Sequence, residues 1–259
     1  MSYYYHKDKS VYFQHQYQNA TEHLIPFTGI EQSWQVLEIG CGEGGVLKAY
    51  VDQGCNGVGV ELSEYKINNA TRFLEQEIEA DKIKLYSENI YNPIFEEAFA
   101  KKFDLIILKD VIEHIHDQAK LMRLMKSFLK DGGSIFFGFP PWQMPFGGHQ
   151  QVCDSKILRK LPYFHLLPGP LYRSVLRLFG EKENTIEGLL EIKSTGISIG
   201  QFISMVKSTG YQKVKSHYYL INPIYQYKFG LKPKTQFPFI TKIPYFRNFV
   251  TTCVYYLIK

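Results

Sequence analysis

Short apolar runs alternate with amphipathic segments through the first 140 residues of the chain. Each run is five or six residues long and is followed by a polar or glycine-rich turn, after which a helical pattern begins. The predicted strands are residues 35–39, 57–61, 83–87, 103–108 and 134–139. Alternation of this kind predicts an α/β fold with a doubly wound, mostly parallel sheet, in which ligands bind at the C-terminal tips of the strands.

The segments between these strands carry helix signals. An N-terminal helix is predicted within residues 10–30, ending near Pro26, and a second helix follows the first strand at residues 44–53. A third is predicted over residues 63–79 with Ser63 as its N-cap. Residues 117–130 place their apolar side chains on one helical face, and the sequence Asp-Gly-Gly that follows is expected to close that helix.

The pattern changes after the two prolines at 140 and 141. Residues 142–197 are rich in proline and glycine, and they leave the tip of the fifth strand. A helix at residues 198–209 and strands at 214–221 and 249–258 follow, and the segment 222–248 between those strands is rich in Tyr, Phe, Pro and Lys. A chain of 259 residues can bury the core of one large α/β domain with such an elaboration.

Charge is distributed unevenly along the chain. Residues 1–140 carry 14 Lys and Arg against 20 Asp and Glu, whereas residues 141–259 carry 16 against 5. No acidic residue follows Glu191, although ten Lys and Arg do. An excess of positive charge in the second half of the chain favours binding of an anionic ligand, an anionic membrane surface or, less strongly, nucleic acid. The alternative explanation of the excess is a basic face that is simply solvated.

The remaining composition restricts the class of protein. No run reaches the ~18 uninterrupted apolar residues that span a bilayer, and the N-terminus has no apolar core of the kind found in a secretory signal. The four cysteines form no C-x-x-C pair, so neither a zinc site nor a disulfide framework is indicated. We therefore expect a cytoplasmic protein with reduced cysteines.

The most informative segment is VLEIGCGEGG, residues 36–45, where the first strand enters a glycine-dense turn. Glycines at a strand-to-helix turn allow the backbone to approach a ligand, and the helix that begins there directs free N–H groups towards it. Glu61 follows at the tip of the second strand, where a carboxylate suits the two hydroxyls of a ribose. The segment thus predicts a nucleoside-binding site.

Two patterns fit this turn. Gly40, Gly42 and Gly45 satisfy G-x-G-x-x-G, the fingerprint of dinucleotide binding, although this match alone is weak. Glu38, together with glycines at 40, 42 and 44, forms E-x-G-x-G-x-G instead. A carboxylate at Glu38 suits a ligand that carries an ammonium and a sulfonium, whereas it would repel a pyrophosphate.

With the second pattern the sequence resembles the class I S-adenosylmethionine-dependent methyltransferases, including the small-molecule enzymes of the ubiquinone-biosynthesis type. The segment FDLIILKDVIEHI, residues 103–115, resembles the fourth strand of that family and the turn after it, and IKLYSENI, residues 83–90, lies where the family has its third strand. At the position where the family usually has Asp, this chain has Asn89, or Glu88 if the register differs by one. Asn can donate to and accept from an adenine edge.

The resemblance implies a Rossmann-like sheet of seven strands with an antiparallel hairpin at the C-terminal edge and S-adenosyl-L-methionine as cofactor. It also implies a single domain in four parts. The four parts are a helical cover (1–30), a cofactor-binding core (31–141), a lid insertion that builds the acceptor pocket (142–197), and a C-terminal part with a helix, the last two strands and a basic aromatic loop (198–259). Within the helical cover, Gln16 and Tyr17 are candidates for covering the cofactor.

The candidate cofactor-binding residues lie in the glycine turn and at the tips of strands two, three and four. They are Glu38, Gly40, Cys41, Gly42, Gly44, Glu61, Leu62, Asn89, Ile90, Lys109, Asp110, Val111 and His114. Cys41 is interpreted as a small turn residue and not as a nucleophile.

His149 is the candidate general base, because it lies just beyond the fifth strand and its ordinary pKa near 6.5 suits proton removal from a hydroxyl. The alternative is a histidine that organises a glycine-rich loop. Asp110, Glu113, His114 and Asp117 can share one helix face, but the family resemblance explains this segment without a metal, so no metal is expected.

The leading hypothesis is methyl transfer to an oxygen of a small-molecule acceptor or of an anionic lipid- or sugar-linked one. A nicotinamide-dependent oxidoreductase that uses Gly40, Gly42 and Gly45 is the first alternative. A nucleic-acid methyltransferase or binder that uses the basic C-terminal part is the second, although the chain has no N-P-P-Y-like catalytic tetrapeptide.

Overall fold

The computed structural model describes residues 8–259, so the first seven residues of the predicted N-terminal cover lie outside the described residues. Eight strands form one sheet in the order β3-β2-β1-β4-β5-β8-β6-β7. The strands are β1 Gln35–Ile39, β2 Asn56–Glu61, β3 Ile83–Ser87, β4 Phe103–Lys109, β5 Leu129–Phe139, β6 Lys213–Ile221, β7 Lys234–Thr235 and β8 Cys253–Ile258. The doubly wound α/β fold is therefore confirmed.

Strands β1 to β5 run parallel, and the C-terminal strand β8 lies antiparallel between β5 and β6. The predicted antiparallel pair at this edge is thus present. The prediction of seven strands is corrected by β7, a strand of two residues that pairs with the outer edge of β6. The loop 222–248 supplies this extra strand.

Thirteen helices pack around the sheet in the described part of the chain. They are α1 Lys9–Asn19, α2 Ile25–Thr28, α3 Gly45–Val51, α4 Glu64–Phe73, α5 Glu75–Glu79, α6 Ile94–Ala98, α7 Gln118–Phe128, α8 Gly169–Leu178, α9 Glu183–Thr195, α10 Ile199–Ser208, α11 Tyr225–Phe229, α12 Pro238–Thr241 and α13 Phe246–Val250. None of the helices among residues 8–259 combines the length and the apolar character needed to cross a bilayer.

Several predicted boundaries are wrong for identifiable reasons. The helix predicted over residues 63–79 is divided at Leu74, which leaves the helical region, and Ser63 occupies the N-cap without a side-chain hydrogen bond. Helix α7 ends at Phe128 and not at the glycines, because Leu129 already pairs with Phe103 as the first residue of β5.

The two ends of the chain also differ from prediction. The N-terminal helix continues past Pro26 to Thr28, after a π-helical turn at Ala20–Leu24. A π-helical turn is wider than an α-helical one and so makes room for the irregularity that proline introduces. The last strand begins at Cys253 and not at residue 249, because the preceding residues form α13.

Three hydrophobic cores hold the fold together. One face of the sheet is centred on aromatic residues such as Phe103, Phe128 and Phe137, and the other on Tyr50, Phe136 and Tyr255. A third, smaller core lies within the segment 142–197 and contains, among others, the buried side chains of Phe164, Tyr172, Leu176 and Leu189. The insertion after β5 is consequently a packed unit and not an extended loop.

Candidate cofactor and acceptor site

The glycine turn joins β1 to α3 at the C-terminal edge of the sheet. Gly40 has φ of +70°, and its N–H donates to the carbonyl oxygen of Val60 in β2 at 2.7 Å. A Cβ at this position would lie 2.5 Å from Cγ2 of Val111, beyond the tip of β4. Gly40 is therefore required both by its left-handed conformation and by the close approach of the two strand tips.

Gly44 is not among the residues that line the cavity beside this turn, and its role as a cofactor contact stays a prediction. Its φ is +85°, and a Cβ there would lie 2.5 Å from Cδ1 of Leu74, on the side of α4. Gly45 faces α1 in a similar way, since a Cβ on it would collide with the carbonyl oxygen of Phe13. The last two glycines of the turn thus allow helix packing, whereas Gly40, Gly42 and Gly45 border the cavity.

Glu61 holds the tip of β2 against the turn. Its Oε2 accepts a hydrogen bond from the N–H of Gly42 at 3.2 Å, and its Oε1 accepts one from the N–H of Ser63 at 3.1 Å. Lys66 Nζ lies 3.4 Å from Oε2. These contacts hold the carboxylate at the wall of the cavity, where each oxygen keeps a lone pair for a further hydrogen bond.

Glu38 lies at the base of the same cavity and is buried. Its Oε2 accepts a hydrogen bond from the N–H of Leu47 at 3.1 Å. Burial raises the pKa of the Glu38 carboxyl to about 8, although the hydrogen bond from Leu47 and the charge of Lys109 oppose this shift. A cation bound beside Glu38 would favour its ionised form, as expected for a residue that neutralises a ligand ammonium.

Lys109 and Asp110 form an ion pair at the tip of β4, with Nζ and Oδ2 2.5 Å apart. Burial opposes ionisation of Asp110, but Lys109 lowers its pKa below the ordinary value. Asp110 also has φ of +56°, so the chain turns sharply there. The pair places one charge of each sign on the cavity wall.

Asn89 and Ile90 border the cavity beyond the tip of β3. The Oδ1 atom of Asn89 accepts a hydrogen bond from the N–H of Tyr91 at 3.0 Å. Its amide nitrogen remains able to donate to a nucleobase, and its oxygen keeps a second lone pair.

A cluster of Glu113, His114 and His149 lies behind the tip of β4. One potential ligand atom from each side chain lies within 4.8 Å of the others. Glu113 is buried, and neither of its carboxylate oxygens has a hydrogen-bond partner among residues 8–259. Two imidazole nitrogens and a carboxylate oxygen are donors that a divalent cation such as Zn²⁺ accepts, so the geometry provides a possible metal site where none was expected.

The pKa values in this cluster shift in opposite directions. Burial raises the pKa of Glu113 well above its ordinary value, and the charge of Asp110 adds to that shift. Burial lowers the pKa of His149 to about 4, and His114 adds to this effect. Burial therefore favours the uncharged form of the Glu113 carboxyl, and it keeps His149 neutral at pH 7.

His149 does not line the cavity directly. Its ring centroid lies 5.0 Å from that of His114, and His114 is the member of the pair that borders the cavity. His149 has φ of +54° and precedes the short 3-10 turn Gln150–Val152. The predicted base therefore lies one ring away from the open space, on the side of the insertion.

Helix α1 covers the cavity and contributes residues that the sequence pattern did not identify. Lys9, Tyr12, Phe13 and Gln16 border it, and only Gln16 was a candidate for this position. The other candidate, Tyr17, instead donates a hydrogen bond from its hydroxyl to Asp52 Oδ2 at 3.0 Å. No motif marks these residues, because their position depends on the packing of α1 against α3.

The cavity has a volume of about 800 Å³. All of the predicted cofactor-binding residues except Gly44 line it, and His116, Asp117 and Lys120 extend it beyond His114. The geometry of a doubly wound sheet explains why these residues lie together, since the tips of β1, β2, β3 and β4 meet at one edge. A space of this size accommodates a nucleoside cofactor with room beyond it.

Comparison with known proteins decides the nature of this site. A family model described as a methyltransferase domain matches residues 13–159, more than half of the chain. The chain belongs to the class I S-adenosylmethionine-dependent methyltransferases. Its cofactor is S-adenosyl-L-methionine, and the interpretation as a nicotinamide-dependent oxidoreductase is wrong.

Curated relatives of this methyltransferase are similar over part of their length. A ubiquinone biosynthesis O-methyltransferase from Stutzerimonas stutzeri is 30% identical over 108 residues, which cover 40% of this chain and 43% of the relative. The enzyme of the same name from Acinetobacter baylyi is 28% identical over 103 residues, covering 40% and 42%. The matched segment thus spans less than half the length of either relative.

Solved structures show the same fold at low sequence identity. The geranyl diphosphate C-methyltransferase from Streptomyces coelicolor A3(2) superimposes with a TM-score of 0.59 at 13% identity, covering 93% of this chain and 80% of that one. Agreement at this identity extends to the fold alone.

Proposed function

We propose that this methyltransferase transfers the methyl group of S-adenosylmethionine to an oxygen of a small-molecule acceptor or of an anionic lipid- or sugar-linked one. The observation that carries the proposal is the single cavity that begins at Glu38 and Glu61 and continues to His114. Its two acids suit the ammonium and the ribose of the cofactor. The space beyond them adjoins neutral imidazoles that can accept a proton.

In this arrangement residues at the tips of β1 and β2 would hold the cofactor. Glu38 would neutralise its methionine ammonium, and Glu61 would accept hydrogen bonds from its ribose hydroxyls. Leu62, Asn89 and Ile90 would hold the adenine ring, towards which the amide nitrogen of Asn89 can donate. Helix α1 would cover the cofactor through Phe13 and Gln16, both of which border the cavity.

The reaction is an in-line displacement in which a bond forms between the acceptor oxygen and the methyl carbon while the bond from carbon to sulfur breaks. S-adenosylhomocysteine leaves as the neutral thioether, and the hydroxyl proton goes to the protein. The chain's main contribution is to hold the acceptor in line with the methyl group at near-attack distance. We assign the acceptor side of the cavity to the insertion at residues 142–197, which starts at the tip of β5.

The His114–His149 pair is the proposed proton acceptor. Both rings are neutral at pH 7, because burial lowers the pKa of each. A pKa of about 4 alone would make His149 a weak base. In this step the proton of the acceptor hydroxyl passes to the imidazole pair, and the charge of Asp110 favours the protonated form of His149 by raising its pKa.

Two observations support oxygen as the methyl acceptor. The curated relatives are O-methyltransferases by name, and a proton acceptor beside the cavity is needed for a hydroxyl but not for an unprotonated amine. The Lys109 side chain and the basic second half of the chain favour an acceptor with an anionic group.

Cofactor binding is tested by isothermal titration of the protein with S-adenosylhomocysteine and, separately, with NAD. We expect saturable binding of the first and no binding of the second. Binding of NAD alone would overturn the proposal, because the acids of the cavity would then not be serving a cationic ligand.

The acceptor atom is tested with S-adenosylmethionine labelled with ¹³C at the methyl group. Matched phenol, catechol and aniline compounds bearing the same carboxylate or alkyl chain are supplied as acceptors, and the ¹³C chemical shift of the product identifies the atom that is methylated. We expect O-methyl products, and turnover that is roughly 10²-fold lower in His149→Ala. His217→Ala is the control, because His217 lies in β6 away from the cavity.

Exclusive N-methyl or C-methyl products would contradict the assignment to oxygen while leaving methyl transfer itself intact. An unaltered rate in His149→Ala, with unchanged affinity for S-adenosylhomocysteine, would identify His149 as a loop residue.

A further inference from the structure

The segment between β6 and β8 exposes an unusual set of apolar side chains. Tyr245 is 71% exposed and Phe239 is 63% exposed, and five more large apolar residues of this segment are also exposed. We call this region the basic aromatic surface. Its members are Phe229, Leu231, Lys232, Lys234, Phe237, Phe239, Lys242, Ile243, Tyr245 and Phe246.

The backbone beneath these side chains is anchored to the body of the protein. The buried Gln236 donates from Nε2 to the carbonyl oxygen of Val250 at 2.7 Å. The buried Asn248 accepts a hydrogen bond from the N–H of Ile199 at 2.8 Å and donates to the carbonyl oxygen of Tyr245. The apolar side chains therefore point outwards from a segment that two buried amide side chains, Gln236 and Asn248, fix to the body of the protein.

The charge of this surface has one sign. No Asp or Glu occurs after Glu191, and none of the ion pairs among residues 8–259 involves Lys232, Lys234 or Lys242. All three lysines are exposed. Their charge is complementary to an anionic partner, and the aromatic and aliphatic side chains between them require that this partner also be apolar.

We propose that the basic aromatic surface docks this protein on an anionic phospholipid bilayer. Phe, Leu, Ile and Tyr side chains can enter the boundary between headgroups and acyl chains, while the lysines remain with the lipid phosphates. Nucleic acid fits the same side chains less well, since Leu231 and Ile243 offer no ring on which a base can stack.

The surface continues to the methyltransferase cavity through α11. Lys228 in this helix lies 5.9 Å from the ring centroid of Tyr12, a residue that borders the cavity. Gln226 Nε2 also lies 3.5 Å from Glu22 Oε2, which joins α11 to the N-terminal helical segment. Phe229 at the end of α11 and Leu231 just after it are exposed. A bilayer bound to this surface would therefore lie beside α1, the helix that covers the cavity.

The insertion extends the same surface on its other side. The hydroxyl of Tyr163 donates to the carbonyl oxygen of Phe249 at 3.0 Å, and the ring of Phe249 lies 5.4 Å from that of Tyr245. Tyr163 and Leu161 are exposed, as is the adjacent Lys160. The basic aromatic surface thus reaches the insertion that we assign to the acceptor side, although docking itself does not depend on methyl transfer.

The test is co-sedimentation of the full chain with sucrose-loaded vesicles of phosphatidylcholine alone and of phosphatidylcholine mixed with phosphatidylglycerol. We expect binding to the mixed vesicles and little binding to pure phosphatidylcholine. The triple variant Lys232→Glu, Lys234→Glu, Lys242→Glu should bind the mixed vesicles at least roughly tenfold more weakly, because each lysine near an anionic leaflet contributes to binding.

A second variant separates the apolar contribution from the charge. Phe237→Ser, Phe239→Ser, Tyr245→Ser keeps all the lysines, so it should retain weak binding at low salt and lose binding at high salt, where the charge is screened. The matched control is Lys82→Glu, Lys84→Glu, Lys102→Glu, which changes three exposed lysines before β3, in β3 and before β4. This control should bind vesicles as the unaltered chain does.

Affinity for S-adenosylhomocysteine is measured in each variant as a check on folding, and it should not change. This measurement also separates the docking proposal from the proposed methyl transfer. If the unaltered chain binds S-adenosylhomocysteine but no vesicles, docking is refuted and methyl transfer is not. Docking is likewise refuted if the control triple weakens vesicle binding as much as the surface triple. Retention of the chain by single-stranded RNA, without binding to the mixed vesicles, would assign the surface to nucleic acid instead.

Discussion

Glu61 has both of its carboxylate oxygens engaged by the backbone of the turn. The N–H groups of Gly42 and Ser63 each donate to one of them, which leaves further lone pairs for a ribose diol. We therefore expect Glu61→Ala to weaken binding of S-adenosylhomocysteine at least tenfold, about 1.4 kcal/mol, in isothermal titration. Glu64→Ala in α4 is the control and should leave the affinity unchanged.

Loss of the turn geometry and loss of ribose binding can be separated. Glu61→Gln keeps an oxygen that can accept from the backbone but removes the charge and one acceptor. Weakened binding in Glu61→Ala alone would assign the effect to the turn, whereas unchanged affinity in both variants would remove Glu61 from the cofactor site.

Glu38 should release a proton when the cofactor binds. Its pKa of about 8 leaves the carboxyl mostly protonated at pH 7, and a ligand ammonium beside it would stabilise the ionised form. We expect S-adenosylhomocysteine binding at pH 7 to release up to about one proton. The measurement is titration calorimetry in phosphate and in Tris, whose different ionisation enthalpies make the observed heat depend on the buffer.

The control for this release is Glu38→Gln, which cannot ionise and should give the same heat in both buffers. If the heat of the unaltered chain is already independent of buffer, Glu38 is not the partner of the ammonium.

At the scale of elements, the contact between α1 and α3 fixes the cover of the site. A Cβ at Gly45 would collide with the carbonyl oxygen of Phe13, so Gly45→Ala must displace α1. We expect it to lower the free energy of unfolding by about 1–3 kcal/mol and to weaken binding of S-adenosylhomocysteine. Urea unfolding and isothermal titration measure the two effects.

Gly188 provides the matched control for this substitution. It lies in the interior of α9, and a Cβ there would meet no atom within 4 Å. Gly188→Ala should therefore raise the free energy of unfolding by about 0.5–1 kcal/mol without affecting the cofactor. Equal behaviour of the two alanine variants would show that α1 does not rest on Gly45.

The elements that the sequence predicted well are those whose pattern is local. The five parallel strands are short apolar runs, and α10 carries a complete capping box between Ser198 and Gln201. Helix α13 was missed because the side chains of Phe246–Val250 mix polar and apolar residues as an edge strand does, whereas its conformation is fixed by the distant contact of Asn248 with Ile199.

The same distinction applies to the site. Glu38, Glu61 and Asp110 could be predicted, because a strand tip in a doubly wound sheet defines their position. Tyr12 and Phe13 could not, since only the packing of α1 brings them to the cavity. The close packing of Gly44 against Leu74 could not be predicted either, because a glycine required by helix packing has the same sequence signature as one required by a ligand.

At the scale of the whole molecule, buried titratable groups make stability depend on pH in two opposing ways. Burial lowers the pKa of His165 to about 4, so the folded state binds fewer protons than the unfolded state below pH 6.5. The stability contributed by neutral His165 is therefore present above pH 6.5 and is lost as the pH falls towards 4. Glu113 acts oppositely, because its raised pKa contributes stability at acidic pH that is lost as the pH rises above about 4.5.

These opposite signs predict opposite effects of two substitutions. The difference in unfolding free energy between pH 7 and pH 5 should become smaller by roughly 2 kcal/mol in His165→Gln. It should become larger in Glu113→Gln, because burial disfavours ionisation of the unaltered carboxyl in the folded state. Urea unfolding at both pH values, in the presence of EDTA, measures this difference for each variant and for the unaltered chain.

EDTA matters because a divalent cation on Glu113, His114 and His149 would hold the carboxylate ionised and reverse its contribution. Omitting the chelator and adding Zn²⁺ should then stabilise the unaltered chain at pH 7 but not Glu113→Gln, if these three side chains bind the ion in solution. Equal shifts of both chains with Zn²⁺ would locate any metal elsewhere. In both variants the measured quantity is the difference in unfolding free energy between pH 7 and pH 5. If this difference changes in the same direction in His165→Gln and Glu113→Gln, the opposite pKa shifts assigned to His165 and Glu113 are contradicted.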